Sequence, residues 1–136
     1  MCMKWFEKNN IWATIPLRIA LAVLFIAHGA SKLFGGLEGT AGFFDKIGIP
    51  LAFFFAVVVG IVEFGGGILL LLGLFTRYSA ALLSIVMIVA ILTAHLGGGY
   101  ELAMMGLGGS LALLFMGAGK CSLDEKCKDW CKKKKN

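Results

Sequence analysis

The chain has 136 residues, of which 59% are hydrophobic and 15% are charged, and its mean hydropathy is +0.87. This composition is too apolar for an ordinary soluble domain, and the length is too short for two domains. The net charge of +5 comes from the two ends of the chain, since residues 120–136 hold seven lysines against three acidic residues. The excess of basic residues at the ends therefore indicates how the chain is oriented in a membrane, and it does not point to a nucleic-acid partner.

Four apolar runs are long enough to cross a bilayer, which takes about 20 helical residues. They cover residues 11–34, 50–74, 78–96 and 102–118. The first run is unlike a cleaved secretory signal, because Arg18 interrupts its apolar core and the run is long. The sequence predicts an all-α integral membrane four-helix bundle over residues 1–119, followed by a Lys- and Cys-rich tail over residues 120–136.

The segments between the spans indicate how the chain sits in the membrane. Residues 35–49 mix aromatic and charged side chains, as a re-entrant or interfacial segment does, whereas residues 76–77 and 97–101 are predicted as short turns. An even number of spans puts both termini on one side. Lys4, Lys8, Arg77 and the tail lysines favour the cytoplasm for that side. We expect a multi-pass protein of the cytoplasmic (inner) membrane of a bacterium or archaeon.

Glu63 is the residue that most needs an explanation, because it lies inside an apolar span. An ionised residue at mid-membrane costs roughly 2.5 to 3.5 kcal/mol and usually faces a protein interior or a cavity with a partner. At 1.5 Å of rise per residue, Arg18 and His28 on the first span bracket the depth of Glu63. We therefore expect Glu63, Arg18 and His28 to form a catalytic group.

Further polar and small residues share helix faces with this group. On the first span, Arg18, Phe25, His28 and Lys32 fall within one arc, and on the second span Ala56, Gly60, Glu63 and Gly67 share a face. On the third span one stripe holds Arg77, Ala81, Ser84, Ile88, Ile91 and His95. The pattern predicts a polar column in the bundle, in which the residues that bind a substrate or quinone are Lys32, Arg77, His95, Gly60 and Gly67.

Several of these residues also have a purely structural interpretation. Glu63 and Arg18 can form an ion pair that sets helix register, Arg77 can anchor the topology, and Lys32 can extend to the headgroups. The two histidines have no cysteine or carboxylate at ligand spacing, so no metal is expected. The glycine triplets 65–67 and 97–99 lack the context of a nucleotide-binding loop and favour close helix packing.

The tail has its own pattern. Ser122 and Glu125 form a capping-box sequence, which predicts the start of a helix. Its apolar face would carry Leu123, Cys127, Trp130 and Cys131, with lysines opposite, as in a helix that lies on a membrane surface rich in anionic lipids. A metal or redox role for Cys2, Cys121, Cys127 and Cys131 stays open. A reducing cytoplasm and the absence of zinc-site spacing favour free thiols.

An ordered set of motifs resembles the DoxX family. The set consists of RIALAVLFIAHGASKL from Arg18, GIP from Gly48, GIVEFGG from Gly60 and LGLFTR from Leu72. The resemblance covers about residues 15–118. It implies a four-helix membrane bundle, and the relatives in that family include the small membrane subunit of thiosulfate:quinone oxidoreductase.

Three functions are compatible with the sequence. The leading hypothesis is a membrane subunit of a quinone-linked redox system, with thiosulfate-type sulfur oxidation as one candidate, in which Glu63, Arg18 and His28 hold the quinone and relay protons. It requires a redox partner protein, since no electron carrier is evident in the sequence. The alternatives are a scaffold that anchors a soluble partner through the tail, and a small-molecule or proton transporter that would need to form a homo-oligomer.

Overall fold

A computed structural model of the chain describes residues 12–93, 100–119 and 121–133. Within these ranges the chain forms α-helices and no strand, and a π-helical turn, Ser31–Gly35, continues the first helix. The helices are α1 (Thr14–Ala30), α2 (Leu37–Lys46), α3 (Ala52–Leu72), α4 (Thr76–Thr93), α5 (Tyr100–Met116) and α6 (Leu123–Lys133).

Four apolar helices lie at the positions of the four predicted spans. In the described part of the chain, α1 with its π turn, α3 and α4 are long and apolar enough to cross a membrane. Helix α5 has 17 residues, which is the lower limit for a spanning helix. The all-α membrane bundle is therefore confirmed, with helix ends within a few residues of the predicted ones.

The bundle has two ends, which we name after the short helices found there. At the α6 end, α1 and α4 begin while α3 and α5 finish. At the α2 end, α1 passes into its π turn and α3 begins. Between the two ends lies an apolar core, to which α1, α3, α4 and α5 all contribute. Its buried members are Leu21, Ala22, Phe25, Leu70, Ala80, Leu83, Met87, Ala103 and Leu113.

Helix α2 occupies the segment for which the sequence predicted an interfacial or re-entrant structure. It packs against α3 and contacts the π turn, and Thr40 bonds back to the carbonyl of Gly36 through both its backbone N–H and its hydroxyl. Residues at positions 36, 39, 40, 43 and 44 share one face of α2, whereas Glu38 and Asp45 lie on the opposite face. Helix α2 thus has an apolar side directed at the bundle.

The turn between α3 and α4 lies earlier than predicted. Gly73 adopts a left-handed conformation, with φ of 66°, and the N–H groups of Gly73 and Leu74 donate to the carbonyls of Leu70 and Leu69. This glycine-terminated pattern closes α3, so the turn is residues 73–75. Thr76 and Arg77, which were expected to form the turn, belong to the first turn of α4.

Candidate functional site

Lys32 and Glu63 form a buried ion pair in the interior of the bundle. Lys32 Nζ donates to both carboxylate oxygens of Glu63, at 2.6 Å to Oε1 and 2.7 Å to Oε2. The Glu63 side chain is 2% exposed and the Lys32 side chain is 25% exposed. The short, charge-assisted hydrogen bonds offset the cost of burying the carboxylate, while the ammonium group retains access to the space beside it.

The close approach of α1 to α3 depends on small residues. Glu63 shares the buried face of α3 with Ala56, Gly60 and Gly67, so the predicted face is confirmed. A Cβ atom at Gly60 would lie 2.8 Å from Leu33 Cδ2, and one at Gly29 would lie 2.7 Å from the Cα of Phe64. Larger residues at these crossings would hold the two helices apart and separate the ion pair.

Lys32 reaches Glu63 from the π-helical turn that follows α1. In this turn the backbone hydrogen bonds are of the i→i+5 type, and such turns within α-helices are frequent at functional sites. The resulting partner differs from the predicted one, since Glu63 pairs with Lys32 and not with Arg18. Lys32 therefore does not extend to the headgroups.

Arg18 is buried at the α6 end, where it bonds to backbone carbonyls. Its Nη1 donates to the Ala118 carbonyl at 2.7 Å, and its Nη2 donates to the Cys121 carbonyl at 3.1 Å. Arg18 lies only about 6 Å along α1 from its first residue, and carbonyls beyond the end of α5 have no partner within that helix. The Arg18–Glu63 ion pair, which was one of the alternatives left open by the sequence, is thus wrong, because these nearer carbonyls accept the hydrogen bonds of the guanidinium group.

His28 lies on the outside of α1 and does not face Glu63. It is exposed, and its Nδ1 lies 2.9 Å from the carbonyl of Leu24 in the preceding turn. At about 100° per residue His28 is roughly 80° from Arg18, just beyond the arc that is buried. The arc predicted to face the bundle interior therefore included one residue too many, namely His28.

The predicted stripe on the third span is rotated relative to the helix in the structure. Of its described members only Ser84 is buried, whereas the buried residues of α4 are Thr76, Ser79, Ala80, Leu83, Ser84 and Met87. Arg77 is exposed, and its Nη2 lies 3.4 Å from the Phe115 carbonyl. His95 lies outside the described residues.

The tail cysteines show no metal site in the described part of the chain. Cys121 and Cys127 are exposed free thiols, and no group of His, Cys, Asp and Glu side chains in the described residues could hold a metal ion. Cys2 and the side chain of Cys131 lie outside the described part.

A cavity of about 780 Å³ adjoins the ion pair and extends from it to the α2 end. Its walls come from the apolar face of α2, from α3 and from α4, and its charged residues are Lys32 and Glu63. The full lining is Ser31, Lys32, Gly36, Gly39, Thr40, Phe43, Phe44, Ile49, Pro50, Phe55, Val59, Glu63, Ile85, Val86, Val89, Ala90 and Thr93. The volume is that of a site for a drug-sized or cofactor-sized ligand.

The polar end of the cavity can both donate and accept hydrogen bonds. An ammonium group has three N–H donors, and two of those on Lys32 go to Glu63. The third has no partner among the described residues. Each carboxylate oxygen of Glu63 has a further lone pair. The pair is neutral overall, so it suits an uncharged ligand with carbonyl or hydroxyl groups better than an anion.

Sequence reasoning identified Glu63 but missed most of the cavity. The walls on α2 and α4 were not predicted, although positions 36, 39, 40, 43 and 44 already have the spacing of one helix face. That spacing, in a segment containing charged residues, was the available signal for an amphipathic helix packed on the bundle. Gly60 and Gly67, expected to bind substrate, instead pack helices together and do not line the cavity.

These features define a class of protein: a small helical membrane protein with a buried ion pair at one end of an apolar cavity. The chain is 39% identical over 134 residues to an uncharacterised protein of Haemophilus influenzae, covering 91% of this chain and 97% of that protein. It is 40% identical over 90 residues to CatD of Bacillus subtilis, which is provisionally named an oxidoreductase, covering 66% and 65% of the two chains. It is 35% identical over 133 residues to an uncharacterised membrane protein of Mycobacterium tuberculosis, covering 84% and 80%.

No solved structure matches the chain. The sequence model of the DoxX family matches residues 13–96, which include the ion pair and all the cavity walls. The chain belongs to the DoxX family, as its motifs indicated.

Proposed function

We propose that this protein is the quinone-binding membrane subunit of an oxidoreductase system. The observation that carries the proposal is the position of the Lys32–Glu63 pair, which lies at the polar end of a cavity whose other walls are almost entirely apolar. A quinone combines ring carbonyls, which need hydrogen-bond donors, with a ring and chain that need apolar surroundings. The name of the Bacillus subtilis relative is in keeping with redox chemistry.

In this proposal the two charged residues have different roles. The third N–H of Lys32 donates to a ring carbonyl, and the ammonium group stabilises negative charge that develops on that oxygen. Glu63 holds Lys32 in place and accepts a hydrogen bond from the hydroxyl of a reduced ligand. The apolar walls exclude water and orient the ring.

The electrons would come from a partner protein. A bound quinone takes up two electrons and two protons when it is reduced to the quinol. We place the electron donor, with a thiosulfate-type sulfur compound as one candidate reductant, on the partner's side, since the neutral Lys32–Glu63 pair offers no net attraction to a dianion. Arg18 and His28 have no part in this proposal, because their contacts lie elsewhere in the structure.

The proposal also includes an orientation, with the α6 end at the cytoplasmic face. The lysines of α6 would then meet the anionic lipids of that leaflet. A membrane-impermeant maleimide should label Cys121 and Cys127, which are both exposed, in inside-out vesicles and leave them unlabelled in right-side-out vesicles. Labelling in right-side-out vesicles instead would show that the α6 end lies on the opposite face of the membrane.

Quinone binding to the protein in nanodiscs tests the proposed function directly. The informative variant is Lys32→Met with Glu63→Leu, since replacing both members of a buried pair preserves packing without leaving a single charge. We expect saturable binding of a ubiquinone or menaquinone analogue to the native protein, and a loss of affinity of about tenfold or more in the double variant, because one charge-assisted hydrogen bond is removed.

A matched control makes the same chemical changes away from the cavity. Asp45→Leu with Lys46→Met alters two exposed residues of α2 that do not line it. This control should bind as the native protein does. If the native protein fails to bind quinone, or if the double variant binds equally well, the proposal is wrong, and the scaffold and transporter hypotheses become the ones to test.

A further inference from the structure

The cavity is bounded on one side by apolar side chains that are also exposed on the outside of the bundle. Phe43, Phe55, Ile85 and Val89 all line the cavity, and each is 40–58% exposed. A side chain that borders both the cavity and the exterior forms part of a mouth. These four residues come from α2, α3 and α4, so the mouth lies where those helices meet.

The depth of these residues places the mouth within the membrane-spanning part of the bundle. Val89 lies four residues and Ile85 eight residues before Thr93, the last described residue of α4, or about 6 Å and 12 Å along the helix from it at 1.5 Å per residue. Both lie in a helix that is long and apolar enough to span the bilayer. In a bilayer that α4 spans, this part of the mouth lies beside lipid acyl chains.

The packing of α3 and α4 leaves this opening. Farther toward the α6 end the two helices are in close contact, since a Cβ atom at Gly66 would lie 3.2 Å from Leu83. Toward the α2 end, Phe55 and Val59 of α3 line one wall of the cavity, and Val86, Val89 and Ala90 of α4 line another. Residues of α2 line the same space, and Phe55 and Val89 at its side are 40% and 48% exposed.

We propose that the cavity takes an amphiphilic ligand laterally from the bilayer, with its polar ring at Lys32–Glu63 and its long apolar chain leaving between Phe55 and Val89. This inference rests on the proposed function, and it narrows the ligand to a quinone with an extended chain. The apolar chain of such a quinone contributes contacts with the side chains at the mouth while its far end remains among the lipids. A quinone analogue without such a chain forfeits these contacts.

Two tryptophan variants at the mouth, each with a neighbouring control, test this route. Val89→Trp and Phe55→Trp place bulk in the opening. Leu92→Trp on α4 and Phe54→Trp on α3 add the same bulk at exposed positions that do not line the cavity. Binding in nanodiscs is measured with two quinone analogues that share a ring, one carrying a decyl chain and the other a methyl group in its place.

We expect the native protein to prefer the long-chain analogue. The mouth variants should lose about tenfold in affinity for it, which is what about two excluded methylene groups contribute to binding. Their affinity for the methyl analogue should fall by less than their affinity for the decyl analogue, so that the preference for the long chain narrows. Both affinities should stay near the native values in the two control variants, whose residues do not line the cavity. Thermal unfolding shows whether each variant remains folded.

The other outcomes contradict the inference in separable ways. If both analogues bind the native protein equally and the mouth variants bind as the native protein does, quinone binding stands and lateral entry is wrong. If Thr93→Trp blocks binding while Val89→Trp does not, the ligand enters from the aqueous α2 end. If neither analogue binds the native protein, the proposed function fails and this inference fails with it.

Discussion

Lys32 and Arg18 are two basic residues of the first span that are withdrawn from water in different ways. Lys32 meets a carboxylate and borders a cavity, so its ammonium group keeps one N–H without a partner among the described residues. Arg18 donates to two backbone carbonyls, and its guanidinium group lies beside Gly73, which Ser122 also approaches.

The Lys32 site can exchange one hydrogen-bond partner for another, whereas the Arg18 site holds the fold together. At the α6 end, Arg18 joins the start of α1 to the segment after α5. Asp124 accepts hydrogen bonds from the N–H groups of Phe75 and Thr76 at the start of α4, and its own N–H donates to Gly73. These contacts fix helix ends to one another. A charged residue inside a membrane span is therefore evidence for a ligand site only when its surroundings leave room for a ligand.

The largest effect on stability should come from breaking the ion pair on one side only. Glu63→Leu leaves the partly buried Lys32 without a counter-charge, which should lower the free energy of unfolding by about 3 kcal/mol, the low end of the range for a fully buried pair. Adding Lys32→Met should recover most of that loss, because no single charge remains. Unfolding in mixed micelles with increasing SDS measures both variants. A double variant no more stable than Glu63→Leu would show that the carboxylate has another structural role.

Arg18→Met should give the next largest effect, and it should separate stability from ligand binding. The substitution leaves the Ala118 and Cys121 carbonyls without their donor, which should cost about 2–4 kcal/mol at about 1–2 kcal/mol for each carbonyl. Quinone affinity in nanodiscs should stay close to native, because Arg18 does not line the cavity. A loss of affinity in a folded Arg18→Met protein would restore Arg18 to the binding site.

The features that depend on the bilayer or on small residues could be predicted from the sequence. The apolar runs have lengths set by membrane thickness, so the helix ends agree within a few residues. A carboxylate in such a run is conspicuous, and the face of Ala56, Gly60, Glu63 and Gly67 follows from helical spacing alone. The serine half of the predicted capping box is also confirmed, since the Glu125 N–H donates to Ser122 Oγ.

The partner of Glu63 and the cavity could not be predicted in the same way. Lysine and arginine side chains are long enough to reach partners at several depths in the membrane. The positions of Lys32 and Arg18 along the first span therefore did not determine which of them pairs with Glu63. Helix α4 is apolar on nearly every side, which means that periodicity does not define its rotation. The cavity arises from the separation of α3 and α4 and from the position of α2, and these are properties of the assembled helices.

Gly29→Ala should have an intermediate effect at the crossing that sets the ion pair. The new methyl group would lie 2.7 Å from the Cα of Phe64, which is backbone and cannot rotate away. We expect a loss of about 1–3 kcal/mol, together with weaker quinone binding as Lys32 and Glu63 move apart. The control is Gly108→Ala on α5, where an added Cβ meets no atom within 4 Å. Equal effects in the two variants would mean that helix flexibility, and not contact at the crossing, explains the loss.

The smallest effect should come from Asp124→Ala at the α6 end. This carboxylate caps the first turn of α4 from a different helix, at 2.8 Å from the Phe75 nitrogen and 3.0 Å from the Thr76 nitrogen. Losing a cap of this kind costs about 1 kcal/mol. Faster amide hydrogen exchange at Phe75 and Thr76, with unchanged exchange in the π turn around Lys32, would locate the loss at this end. Exchange that rises equally at both ends would show that the α6 contacts and the ion pair belong to one cooperative unit, so that holding the fold and binding a ligand are coupled.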